Sequence, residues 1–234
     1  MSRSPAPSAR TRVRRLPERA HYDADTIAAI VDAAMLCTVA FQLDGEVHAI
    51  PTIHWREGGH LYLHGARASR MLKALTEGEA CVTIALADGL VLARSALHHS
   101  MNYRSVVIYG RFEAVTEPAC KLASLRAFID GLYPGRWDTL RPISDKELNA
   151  TTVLRIALDE ASAKVRDWGV KDDEEDLDWP VWAGLIPLHT GTGEPVIEPD
   201  SVGQTVPPTR FDQGDEGTAE TGAQLASRPG AQIG

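Results

Sequence analysis

Apolar residues first recur at helical spacing. In "DADTIAAIVDAAMLC", Ile27, Ile30, Val31 and Ala34 fall at intervals of three, one and three residues, which predicts an amphipathic helix with Asp25 as its N-cap. The pattern then switches to a period of two. "CTVAFQLDGEVHAIPTIHW" holds two β-rich runs joined at Asp44-Gly45, a strong short hairpin signal. A third strand, Leu61 to His64, follows the turn at Gly58-Gly59, and a short helix is expected from about Ser69 to Leu75. "ACVTIALADGLVLARS" predicts two strands around Asp88-Gly89, and "RSVVIYGRFEAV" a long one. "EPACKLASLRAFIDGLY" is an amphipathic helix with Pro118 near its start, where a missing N–H costs nothing. "TTVLRIAL" and "SAKVRDW" add two strands. Many strands, tight turns and few short helices specify a mainly β, α+β fold: an antiparallel barrel decorated by helices. No strand leads into G-x-G-x-x-G or a P-loop, so a doubly wound sheet is excluded.

The ends read differently. Residues 1–12 are rich in Ser, Pro and Arg, and 201–234 carry few large apolar residues, so neither buries enough surface to offset its ordering entropy. Both are expected to be disordered, with one folded domain over 13–200. A length of 234 residues and 44% hydrophobic content suit one domain with tails. No apolar run approaches the roughly 20 residues of a membrane span, and "MSRSPAPSARTRVRR" lacks a signal-peptide core. A cytoplasmic protein without membrane contact is therefore expected. The net charge of −8 argues against nucleic acid as a partner, since phosphate binding needs clustered cations. Cys37, Cys81 and Cys120 form no C-x-x-C and read as reduced thiols.

Three stretches carry candidate chemistry. In "LYLHGARASRMLKAL", a strand enters a helix through His64, Gly65, Ser69 and Arg70. A helix N-terminus attracts anions, and a serine hydroxyl with an arginine fork suits phosphate. The same residues also serve as a plain helix cap beside a surface arginine, and the stretch alone leaves both open. "ARSALHHSMNYRSVVIYGR" is unusually polar, but adjacent His98 and His99 on a strand would point to opposite faces, and no carboxylate or cysteine lies at ligand spacing. No metal is expected. "DWPVWAG" places two tryptophans near the domain's end, suited to core packing or to covering a flat ligand. There is no G-x-S-x-G or H-E-x-x-H, so redox or transfer chemistry would rest on a bound cofactor.

A hairpin, then "IPTIHW", "LYLHGARASRML" and "YRSVVIYGRFEAV" together resemble the flavin-nucleotide-binding proteins related to pyridoxamine 5'-phosphate oxidase, over roughly Val13 to Leu188. The resemblance implies an FMN-binding split β-barrel. It implies that Ser69 and Arg70 hold the FMN phosphate, with Gly65 allowing close approach. The third position of the family's Ser-Arg-Lys is Met71 here, with Lys73 or Arg67 as substitutes. Ile50, Pro51, Thr52 and Ile53 match the strand along the isoalloxazine, and Arg104 and Ser105 the later strand that reaches the flavin. His64 also resembles a histidine of the nitroimidazole-resistance branch, beside the cofactor. "PVWAGLIPL" replaces the Arg-x-His segment of the oxidase proper, so its substrate site is not implied.

The implied function is FMN-dependent electron transfer from a reduced donor to a small organic acceptor. His64 is the candidate catalytic residue, delivering a proton. A homodimer is implied, with Trp182 reaching the flavin across the interface. The alternatives are a non-catalytic flavin-storage protein and a haem-binding split barrel with a histidine ligand.

Overall fold

The computed structural model describes residues 4–203 and 205–211. In chain order the elements are β1 (Ala20–His21), α1 (Ala24–Ala33), β2 (Leu36–Leu43), β3 (Glu46–Ile53), β4 (Trp55–Glu57) and β5 (His60–Ala66), followed by α2 (Arg70–Glu77), β6 (Ala80–Leu92) and β7 (Ser100–Gly110). Then come β8 (Glu113–Ala114), α3 (Pro118–Leu132), α4 (Asp145–Ala150), β9 (Thr151–Ala157), β10 (Ala161–Arg166) and β11 (Gly184–Pro187). All described strand pairs are antiparallel. One sheet runs β1-β10-β7-β6-β2-β3, with β11 beside the far end of β6; the other runs β4-β5-β9-β8. The two sheets form the expected split barrel.

The chain crosses between the sheets four times: at His54, through α2, after Gly110, and between β9 and β10. The main core lies between the sheets and under α1 and α2, built from Val39, Leu61, Leu63, Leu75, Val82, Ile84, Val106, Ile108, Leu154 and Ile156, all at or near full burial. Strand alternation sends the other face of β5 outward. There Tyr62 joins Trp55, Leu125 and Val153 in a second apolar cluster covered by α3.

Several local expectations differ from the structure. Asp23, not Asp25, caps α1, accepting from Thr26 N at 2.8 Å. The Asp88-Gly89 pair does not turn the chain: β6 is one strand of 13 residues with a register shift at Ala87/Gly89. An extra residue is accommodated by a bulge when both flanks keep their partners, here β7 on one side and β11 on the other. Asp44 and Gly45 do form the hairpin turn, with φ of 54° and 84°. The helix α4 went unexpected, although its capping box, Ser144 with Glu147, is a sequence signature.

In the segment expected to be a loose arm, residues 8–11 make specific contacts. Ser8 Oγ donates to Glu160 Oε2 at 2.7 Å, Arg10 bridges Glu79 and Glu160, and Thr11 is buried. Near the other end, Arg210 Nη2 donates to Ala34 O at 2.8 Å and Arg210 N to Leu132 O at 3.1 Å. The expectation for 212–234 lies outside the described residues.

Candidate functional site

The junction between β5 and α2 is built as a cap and a seat. Ser69 accepts from Leu72 N at 3.3 Å, closing the first turn of α2. Leu72, Ala74 and Leu75 face the core, and Met71 packs against it, which leaves Arg70 and Lys73 on the outward face. A Cβ on Gly65 would lie 3.0 Å from Leu72 Cδ1, so a glycine there lets α2 sit close on β5. The close approach that Gly65 permits is therefore that of a leucine.

Arg70 reaches from this helix start to the tip of the β2–β3 hairpin, where Nη2 donates to Asp44 Oδ2 at 2.8 Å. Both side chains are about three-quarters exposed, at 75% and 76%. Beside them β3 is the outermost strand of its sheet, with Ile50, Pro51, Thr52 and Ile53 paired to Val39, Thr38, Cys37 and Leu36 on one side only. Proline is tolerated at such an edge because no further strand asks for its N–H. Ile50 and Val47 are exposed. Ser69, Arg70 and the β3 edge thus share one side of the barrel with an open strand and a free helix start.

His64 stands elsewhere. On β5 it alternates with Leu63 and Gly65, so it faces α3 rather than the main core. Its ring lies 4.8 Å from that of Phe128 and 5.7 Å from that of Trp55. Nδ1 is buried and has no hydrogen-bond partner among the described residues. Burial lowers its pKa, so the ring is neutral at neutral pH and acts as a base or a ligand more readily than as a proton donor. Lys121, Leu125 and Phe128 lie along one face of α3. Lys121 Nζ donates to Leu148 O at 2.6 Å, and burial, then the charge of Arg67, lowers its pKa. The charges of Lys121 and Arg67 repel each other, and among the described residues neither is paired with a carboxylate.

Arg104 and Ser105 are neighbours on β7 and so point to opposite faces. Arg104 grips Asp88, the residue at the β6 bulge, through two bonds of 2.9 and 2.7 Å. Trp182 is 62% exposed, its ring lying over Gly184, where a Cβ would meet Cζ2 at 2.8 Å. It is not part of this chain's core. Close by, Ile186 on β11, Leu90 on β6 and Met101 on β7 form one cross-strand row of exposed apolar side chains. Sequence reasoning missed Asp44, Asp88, Trp55, Phe128 and Lys121, each of which acquires its role from a partner distant in the chain.

Residues 23–165 match the family described as pyridoxamine 5'-phosphate oxidase. Among solved structures, the flavocytochrome Anf3 from Azotobacter vinelandii shares 44% identity, covering 87% of this chain and 95% of its own, with a TM-score of 0.82. The FAD and haem binding protein from Mycobacterium smegmatis shares 36% identity, covering 81% and 94%, with a TM-score of 0.76. A putative 5-nitroimidazole antibiotic resistance protein from Bacteroides thetaiotaomicron shares the fold at 22% identity, covering 62% and 86%, with a TM-score of 0.54. No curated protein matches the chain. No described helix is long and apolar enough to cross a membrane. With more than half of its residues matched and a relative of high identity along most of both chains, this split β-barrel belongs to the pyridoxamine 5'-phosphate oxidase family.

Proposed function

We propose that this protein binds a flavin nucleotide and uses it to pass electrons from a reduced donor to a small organic acceptor. One observation carries the reading: a capped, cation-bearing helix start (Ser69, Arg70) lies beside the open edge strand β3. The relatives at 44% and 36% identity, a flavocytochrome and an FAD and haem binding protein, support it. The residues present fit the phosphate end. Arg70 is committed only to an exposed carboxylate, a pair worth at most about 1 kcal/mol, so a phosphate can displace Asp44. Lys73, one turn on, adds a second positive charge in place of the family lysine.

FMN is the expected form, and FAD carries the same flavin-proximal phosphate. The flavin supplies the redox chemistry when bound, while the protein orients it and limits its contact with water. The open row Ile186–Leu90–Met101 and the exposed Trp182 suit a two-fold partner surface, which would make the working unit a homodimer. The test is the visible spectrum of freshly purified protein, followed by chromatography of the flavin released on denaturation. FMN or FAD in near-stoichiometric amount supports the reading, and turnover with a nicotinamide donor separates electron transfer from storage. Protein that neither retains nor takes up either flavin overturns it.

His64 favours a second ligand beside the flavin. An imidazole whose buried Nδ1 has no hydrogen-bond partner, set among Trp55 and Phe128, would suit a ligand to a haem iron. The relative at 36% identity is an FAD and haem binding protein, and the one at 44% is a flavocytochrome. A Soret band that disappears in His64→Ala while the flavin bands remain supports this reading. A Soret band unchanged in His64→Ala assigns the haem to another residue.

A further inference from the structure

His98, which no part of the flavin reading uses, meets two carboxylates from a segment about 75 residues away. The ligand atoms of His98, Asp173 and Asp176 all lie within 4.8 Å of one another, with His98 Nε2 3.8 Å from Asp173 Oδ2. From these we infer a divalent-cation site of zinc-like chemistry, one imidazole and two carboxylates, which clips the connection between β6 and β7 to the acidic segment 172–178.

Three observations beyond the proximity carry the inference. The imidazole is oriented: Ser95 Oγ lies 3.1 Å from His98 Nδ1, so the tautomer with the proton on Nδ1 donates to the serine and turns the Nε2 lone pair towards the carboxylates. The two halves of the site are also fastened together independently of any ion. Arg94 donates to Asp172 from its backbone N at 2.9 Å and from Nη1 at 2.7 Å, and the Asp172 side chain is only 1% exposed. Asp172 immediately precedes Asp173, and Arg94 immediately precedes the turn that carries His98, so this buried pair sets the spacing of the cluster. Finally, the charge is uncompensated. Arg94 is already engaged, and among the described residues neither Asp173 nor Asp176 is paired with a lysine or arginine.

The donor set indicates the class of ion. A nitrogen ligand with two carboxylates suits zinc and its neighbours, whereas magnesium demands near-octahedral oxygen ligation and keeps its waters. Zinc ligand atoms sit roughly 3.5 Å apart in a tetrahedral site, so the cluster needs a contraction of about 1 Å in side chains that are partly exposed. Water would complete the shell. The acidic segment leads directly to Trp179 and Trp182, both exposed, so the ion would also hold the base of the strip that carries them.

This inference stands independently of the flavin. The experiment is calorimetric titration of the full-length, tag-free protein with zinc chloride, and separately with magnesium chloride. One zinc per chain is expected at micromolar affinity, with no binding of magnesium at the same concentrations. His98→Ala and Asp176→Asn should each weaken zinc at least tenfold. His99→Ala, whose ring is held by Ser95 O, and Glu175→Gln should leave it unchanged. Circular dichroism melts check that each variant folds, and His98→Gln replaces His98→Ala if the latter does not. In the parent, zinc should raise the melting temperature and change tryptophan emission, and both effects should vanish in the His98 variant. Failure of the parent to bind zinc at these concentrations overturns the inference. So does parent-like affinity in the folded His98 variant, or an equal loss in His99→Ala.

Discussion

Arg70 Nη2 meets Asp44 Oδ2 at 2.8 Å, tying the start of α2 to the turn of the β2–β3 hairpin. The bond spans the side of the barrel where the proposed phosphate would bind, so Asp44 holds the arginine in place and also competes for it. A charge-assisted hydrogen bond contributes about 1.5–3 kcal/mol, so Arg70→Ala should weaken FMN by about ten- to a hundredfold. Asp44→Ala should not weaken FMN, because it frees the guanidinium. Riboflavin, which lacks the phosphate, should respond to neither change. Equal FMN affinities in the parent and Arg70→Ala, measured by fluorescence titration, would reduce the junction to a helix cap.

His54 makes stability depend on pH. It sits at the corner between the sheets, 2% exposed, its Nε2 2.9 Å from Val31 O and its Nδ1 buried without a partner. Burial lowers its pKa despite the Val31 bond, so the folded state holds it neutral where the unfolded chain would bind a proton. Stability is complete above the unfolded value of about 6.5 and is lost as pH falls below it. The melting temperature should therefore decline between pH 7 and pH 5. In His54→Gln that slope should flatten, with part of it remaining because His64 is shifted in the same direction. An unchanged slope would assign the acid sensitivity to other groups.

The N-terminal contacts predict a measurable role for a segment whose composition suggests none. Removing residues 1–12 deletes the Ser8–Glu160 bond, the Arg10 bridges and buried Thr11. These contacts are partly exposed, so a loss of about 1 kcal/mol is expected, or about 2–4 °C in melting temperature for a domain of this size. A truncated protein that melts with the parent would show that the arm adds nothing in solution.

Trp182 separates chain stability from assembly. Because it is mostly exposed in the single chain, Trp182→Ala should leave the fold intact. If it reaches a flavin between two copies, the change should brighten bound-flavin emission, weaken flavin binding and shift sedimentation towards monomer. Trp179→Ala should do much less. Should emission, affinity and sedimentation all stay with the parent, the cofactor site would be built from one chain.

The longer elements and their order were legible in the sequence, because caps, turns and periodicity are written in consecutive residues; α4 and the short strands β1 and β11 were not. The Asp44-Gly45 turn, the cap at Ser69 and the Pro118 helix start all follow from such local patterns. The family resemblance likewise rested on short contiguous stretches, and the match over 23–165 agrees with it. Where local chemistry was ambiguous, tertiary pairing decided. Asp88-Gly89 reads as a turn, yet two flanking strands keep β6 continuous and turn Asp88 into the partner of Arg104. His64 reads as a strand end, but alternation on β5 and the closure of α3 place it against Phe128, 64 residues away. His98 has no acidic neighbour at ligand spacing in the chain; folding brings Asp173 and Asp176 to it through the buried Arg94–Asp172 pair. Local free energies choose helix, strand or turn within a few residues, so a sequence displays them directly. A binding site depends on which faces the closed sheets bring together, and that is settled only when burial fixes strand order and register.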